Sequence, residues 1–76
     1  MASTIEIRPT LRLLRVSRNK TISDVAKATG VTPQAVAHWE EGKTIPRVDK
    51  AKRLADFYGI SLEDIVLLIR NQNRAE

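Results

Sequence analysis

Signals that start and stop helices recur along this 76-residue chain at short intervals, and nothing else in it constrains the fold as tightly. Thr21 with Asp24 three residues on, and Ser61 with Asp64, have capping-box spacing, in which a hydroxyl and a carboxylate satisfy free amides at a helix start. Thr32-Pro33 pairs a good N-cap with the residue best tolerated in a first helical turn. Gly30, Gly42 and Gly59, all three glycines of the chain, fall where the segments so opened must close.

This punctuation predicts five short helices. The first spans residues 9–18 and sets Leu11, Leu14, Arg15 and Arg18 on one face, with Leu13 and Val16 opposite. The second runs from the Thr21 cap to Gly30 with Ile22, Val25, Ala26 and Thr29 as its buried stripe. The third covers residues 33–40: Val36, Trp39 and Glu40 face inward with Ala35 beside them, while Gln34, His38 and Glu41 face outward with Ala37 on the flank. Trp39, on the inner face, is read as core and not as a platform for a nucleobase. The fourth covers residues 47–58, with Val48, Ala51, Leu54, Ala55 and Tyr58 apolar. In the fifth, residues 61–69, Leu62, Ile65, Val66 and Ile69 make the inward stripe, Leu67 points away and Leu68 lies on the edge. Residues 4–8 alternate but amount to an arm or an edge strand at most. The expected fold is all-α, a compact five-helix bundle, with an arm over residues 1–8, the domain over 9–69 and a fraying polar tail over 70–76.

Composition removes several function classes. With no cysteine and one histidine, neither disulfides nor a protein-built transition-metal site is expected, and no cofactor is implied. No nucleophile, base and orienting residue assemble from the motifs, so an enzyme is not expected. No apolar run approaches the ~20 residues that cross a bilayer, and the opening MASTIEIRPT has no basic stretch leading into an apolar one. The expected compartment is the cytoplasm or the nucleoid. A net charge of +4 favours a polyanionic partner. The first twenty residues concentrate it, with Arg8, Arg12, Arg15, Arg18 and Lys20 against Glu6 alone.

Two short helices joined by a glycine-containing turn of three to four residues form a helix-turn-helix, whose second helix can enter the major groove of DNA. Residues Leu11, Leu14, Arg15, Val25-Ala26, Gly30-Val31-Thr32, Val36, Trp39-Glu40, Gly42, Pro46, Leu54-Ala55, Gly59-Ile60-Ser61-Leu62 and Ile65 carry a wider pattern. In that register the chain resembles the helix-turn-helix domain of phage Cro and lambda-type repressors. The resemblance implies a five-helix bundle with the third helix as reader, and an interior ion pair between Arg15 and Glu40 in preference to a phosphate contact by Arg15. The chain departs from that pattern at Ile22, where many members have a phosphate-binding glutamine, and at Lys20, where an apolar residue is usual.

Candidate contacts follow from side-chain chemistry. Gln34 can pair in bidentate fashion with adenine, or be an exposed glutamine and no more. His38 lies one turn on and offers donors to a base or a phosphate. Pro33 and Ala37 can touch a thymine methyl, or serve only to start the helix and to permit close approach. Thr21 and Thr32 cap helices whose N-termini also suit a phosphate. Lys43, Thr44 and Arg47 are the expected clamp on the DNA backbone. The leading function is sequence-specific binding of double-stranded DNA by a transcriptional regulator, a repressor, paired as a homodimer through Leu67, Leu68 and Phe57. The alternative is a helix-turn-helix modulator, antirepressor or antitoxin-like, that acts by binding a second regulatory protein.

Overall fold

A computed structural model describes residues 9–72, and all structural statements refer to those residues. They form five α-helices: α1 Leu11–Ser17, α2 Ile22–Thr29, α3 Pro33–Glu41, α4 Val48–Tyr58 and α5 Leu62–Gln72. No strand occurs among them. The expected arm over residues 1–8, with its candidate edge strand over 4–8, and the end of the tail over 73–76 lie outside the described residues.

The local signals set the boundaries. Thr10, one residue inside the expected start, caps α1 by accepting from the Leu13 amide at 3.2 Å. At α2 both halves of the capping box form: the Thr21 hydroxyl accepts from the Asp24 amide at 3.0 Å, and an Asp24 carboxylate oxygen accepts from the Thr21 amide at 2.9 Å. The bond from the Thr21 amide, with the Thr21 hydroxyl close by, holds the Asp24 carboxyl below the usual carboxylate range. Thr32 caps α3, and the Ser61 hydroxyl accepts from the Asp64 amide at 3.0 Å at the start of α5. Gly30 closes α2 at φ 75°, a left-handed conformation that a Cβ would strain. Between α1 and α2 it is Asn19 that turns left-handed, at φ 58°.

The core joins Leu11, Val25, Ala26, Val36, Trp39, Ala51, Leu54, Ala55, Tyr58, Ile65, Leu68 and Ile69. Burial raises the Tyr58 phenol to about 12, with the nearby Glu40 carboxylate adding to the effect.

Three sequence expectations need correction. Leu68, expected at a dimer interface, is 8% exposed and belongs to the core, whereas Val66, expected inside, is 44% exposed. The reason is that α1, α3 and α4 all pack on α5, so its inner face is broader and rotated, with Leu68 turned toward α1. Val48, expected on the apolar face of α4, is 70% exposed, because it is the first residue of that helix and Ala51 is the first that is buried. Finally, α5 does not end at residue 69. Its last turn continues to Gln72 and is tied to other helices.

Candidate nucleic-acid interface

The turn between α2 and α3 is only three residues, Gly30, Val31 and Thr32. It is held by the Ala26 carbonyl, which accepts from the Gly30 amide at 2.8 Å and the Val31 amide at 3.1 Å. Packing then divides α3. Val36 and Trp39 are buried; Pro33 and Gln34 are exposed, and Ala37 and His38 are half-buried. Those last four occur at spacings of one, three and four residues, so they share the outer face of the helix.

Beneath that face lies the ion pair. Arg15 Nε donates to Glu40 Oε2 at 2.7 Å and Nη2 to Oε1 at 3.1 Å, while Nη1 donates to the Lys20 carbonyl at 3.0 Å. The two side chains are 12% and 7% exposed. The hydrogen bond with Glu40 raises the affinity of the guanidinium for its proton above the ordinary arginine value. With each of its three nitrogens bonded to Glu40 or to the Lys20 carbonyl, and only 12% of the side chain exposed, Arg15 is a strut of α3 and not a surface cation.

At the far end of α3 the chain doubles back. The Lys43 and Thr44 amides donate to the His38 carbonyl at 2.9 and 3.4 Å, which sets both residues beside the C-terminal end of the helix. Lys43 is exposed and pairs with Glu41 at 3.3 Å, a loose surface contact. Arg47, also exposed, is the N-cap residue of α4, and its side chain makes no capping bond. Thr21 and Thr32 are exposed, and each hydroxyl already accepts from an amide of its own helix, which leaves its O–H to donate. Lys20 occupies its unusual position by setting its ammonium 5.7 Å from the centre of the Phe57 ring. Phe57 itself is half-buried, edge-on to Tyr58, and does not line the shallow groove that Leu62, Glu63, Val66, Leu67 and Arg70 form on α5.

Two basic features were assigned no contact in the sequence reading. Arg12 of α1 edges a small hollow with Ile22, Ala37 and Glu41, next to the outer face of α3. On α4, Lys50 and Arg53 come so near the turn that a Cβ on Gly30 would stand 3.5 Å from Arg53 Nη1 and 3.7 Å from Lys50 Nζ. Their spacing of three residues on a polar helix face was the available signal, but nothing in the sequence said which turn that face would meet. No group of three or more His, Cys, Asp or Glu side chains among the described residues could hold a metal ion. Nor is any described helix long and apolar enough to cross a membrane.

A short glycine turn, a reader-like helix with an apolar inner and a polar outer face, and cations at both of its ends agree with a family model described as helix-turn-helix, which matches residues 11–65. The chain belongs to the helix-turn-helix family, of the Cro and lambda-repressor type. It is 37% identical over 57 residues to an uncharacterised helix-turn-helix-type transcriptional regulator of Methanocaldococcus jannaschii, covering 75% of this chain and 86% of that protein. It is 32% identical over 56 residues to the transcriptional repressor RstR of a cryptic CTXphi phage in Vibrio cholerae, covering 74% of this chain and half of the repressor. It is 26% identical over 77 residues to the helix-turn-helix-type transcriptional activator BcrR of Enterococcus faecalis, covering 93% of this chain but 38% of that protein. No solved structure gives a significant match.

Proposed function

We propose that this helix-turn-helix protein is a transcriptional repressor that binds double-stranded DNA sequence-specifically as a homodimer, with α3 in the major groove. The observation that carries this reading is the outer face of α3, where Pro33, Gln34, Ala37 and His38 stand outward while Val36 and Trp39 anchor the helix from beneath. In this reading the Gln34 carboxamide pairs with the N6 and N7 edge of an adenine, His38 donates one turn further along, and Pro33 and Ala37 meet thymine methyls. Lys43, Thr44 and Arg47 take phosphates past the C-terminal end of α3, and the free O–H groups of Thr21 and Thr32 donate to phosphates near its start. Arg12, Lys50 and Arg53 extend the positive field on either side. The role is that of a binder and not of an enzyme, exercised in the cytoplasm on the nucleoid. Repression is favoured over activation because the phage repressor is the more identical of the two, 32% against 26% for the activator.

The partner surface is the outer side of α5. Leu62, Val66 and Leu67 line a shallow apolar groove with Glu63 and Arg70 at its edges. Glu63 and Arg70 are seven residues apart, and Val66 and Leu67 sit at the midpoint between them. A two-fold axis there would oppose each Glu63 to the other copy's Arg70, a self-complementary arrangement.

Selection of bound DNA from a random pool tests the whole reading. The expected product is an inverted repeat with half-sites about one helical turn, ~34–36 Å, apart. Enrichment of a single unpaired motif would refute the homodimer, and no enrichment would refute sequence-specific reading. The exposed side chains of Leu13 and Val16 on α1 favour a second reading, in which the protein acts by binding another regulator. A salt titration separates the two, because DNA binding weakens steeply with added salt, which reduces the entropy gained by releasing counterions from the phosphates.

A further inference from the structure

The last turn of α5 carries two carboxamides that bond outside their own helix. Gln72 Oε1 accepts from the Leu11 amide at 3.2 Å, and Gln72 Nε2 donates to the Trp39 carbonyl. Asn71 Nδ2 donates to the Pro9 carbonyl at 2.9 Å. Leu11 is the first residue of α1, so its amide has no partner within that helix. The Trp39 carbonyl lies in the last turn of α3. One half-buried side chain therefore joins the start of α1, the end of α3 and the end of α5.

We infer that Gln72 is a positioning residue for DNA recognition, an inference that rests on α3 being the reader. The N-terminal end of α3 is fixed by its three-residue link to α2. Its C-terminal end is held by the Glu40 pair from α1, by the buried Trp39 ring and by the Gln72 carboxamide from α5. Of these, only Gln72 grips the main chain of α3 from outside, so it sets the tilt of the helix against the rest of the bundle. The Lys43 and Thr44 amides hang from the His38 carbonyl, one residue from the gripped carbonyl, so the backbone clamp shares the same anchor. A released α3 end would misalign Gln34 and His38 with base edges, whose hydrogen bonds are directional. Attraction between lysine or arginine and phosphate, which is not, would persist. Loss of Gln72 should thus appear in discrimination and not in general affinity.

The test is the ratio of affinities for the selected site and for random duplex DNA, measured on wild type, Gln72→Leu and Gln72→Glu. Gln72→Leu removes both bonds. Gln72→Glu keeps an acceptor for the Leu11 amide and loses the donor to Trp39. Partial unfolding lowers both apparent affinities by the same factor and cancels in the ratio, so a purely stabilising role would leave the ratio unmoved. We expect both variants to lower it about fivefold or more, with the salt dependence of random-DNA binding unchanged. A wild type that discriminates, beside variants that discriminate equally well, overturns the role of Gln72 alone. A wild type with no preference overturns the assignment of α3 as reader and the role of Gln72 with it.

Discussion

Replacing Arg15 with alanine removes two bonds to Glu40 and one to the Lys20 carbonyl, and leaves a carboxylate that is only 7% exposed without the cation that is bonded to it. Breaking a buried pair from one side costs about 3–5 kcal/mol, chiefly because the surviving charge stays desolvated. Arg15 keeps 12% of its side-chain surface in water, which places the expected cost in the lower part of that range, at about 3–4 kcal/mol. A domain of this size commands roughly 3–10 kcal/mol in all, so Arg15→Ala should bring it close to unfolding. The melting temperature should fall by about 12–30 °C. Urea unfolding followed by the fluorescence of Trp39, the single and buried tryptophan, measures the loss directly. The companion Arg15→Met/Glu40→Leu removes both charges while keeping bulk, and should recover to within about 1 kcal/mol of wild type or exceed it. A cost for Arg15→Ala below about 1 kcal/mol is what an exposed pair gives, and would refute the assignment of the pair as an interior strut.

Gln34→Ala should lose about 1–3 kcal/mol of binding and relax the preference at one base of each half-site; unchanged preference in a repeated selection would remove Gln34 from base readout. Lys43→Ala should weaken binding to all sequences alike and reduce the salt slope by about one, whereas a loss tied to one base would contradict a phosphate contact. Tyr58 is the only tyrosine, so its phenolate absorbance titrates alone, and in the fold the midpoint should lie at about 12 and not near the ordinary 10.0. Because the folded value is the raised one, this contribution to stability is complete below about 10 and disappears as the pH climbs toward 12; a midpoint at the ordinary value would show an open phenol. Leu67→Ser should give a folded protein that sediments as a monomer and binds the selected site more weakly, and a wild type that is monomeric even on DNA would rule out the α5 pairing.

How much of this was legible in the sequence depended on how local the physics was. Helix starts at Thr21, Thr32 and Ser61 and stops at Gly30, Gly42 and Gly59 are decided within four residues, and spacing alone located them. The outer face of α3 was legible for the same reason: periodicity sorts Gln34 and His38 from Val36 and Trp39 without knowledge of any neighbour. The Arg15–Glu40 pair was not readable from spacing, since 25 residues separate the partners, and it came only through resemblance. Gln72 offered no signal at all. A polar residue near the chain end reads as tail unless the start of α1 and the end of α3 are known to meet it, and that meeting is a product of the completed bundle.

The exchange of Leu68 for Val66 shows what periodicity can and cannot decide. A wheel gives the relative angles of side chains but not the direction of the core, which here is fixed by α1, α3 and α4 closing around α5 from several sides. That rotation withdraws Leu68 from the surface and delivers Val66 to it, so the outer face of α5 still holds two large apolar side chains, Val66 at 44% and Leu67 at 52% exposure. The apolar surface on the outer side of α5 is therefore conserved, though one of its residues has changed. It is also better organised than the sequence implied. Leu67 and Leu68 are neighbours that point in different directions, whereas Val66 and Leu67 line one groove together with Leu62, and the charges at its edges have opposite signs. A single exposed leucine needs no explanation, but a groove whose ends match each other under a two-fold rotation is what a symmetric pair requires. The correction thus strengthens the case for pairing while changing the substitution that should break it, from a change at Leu68, which would damage the core, to one at Leu67 or Val66, which should not.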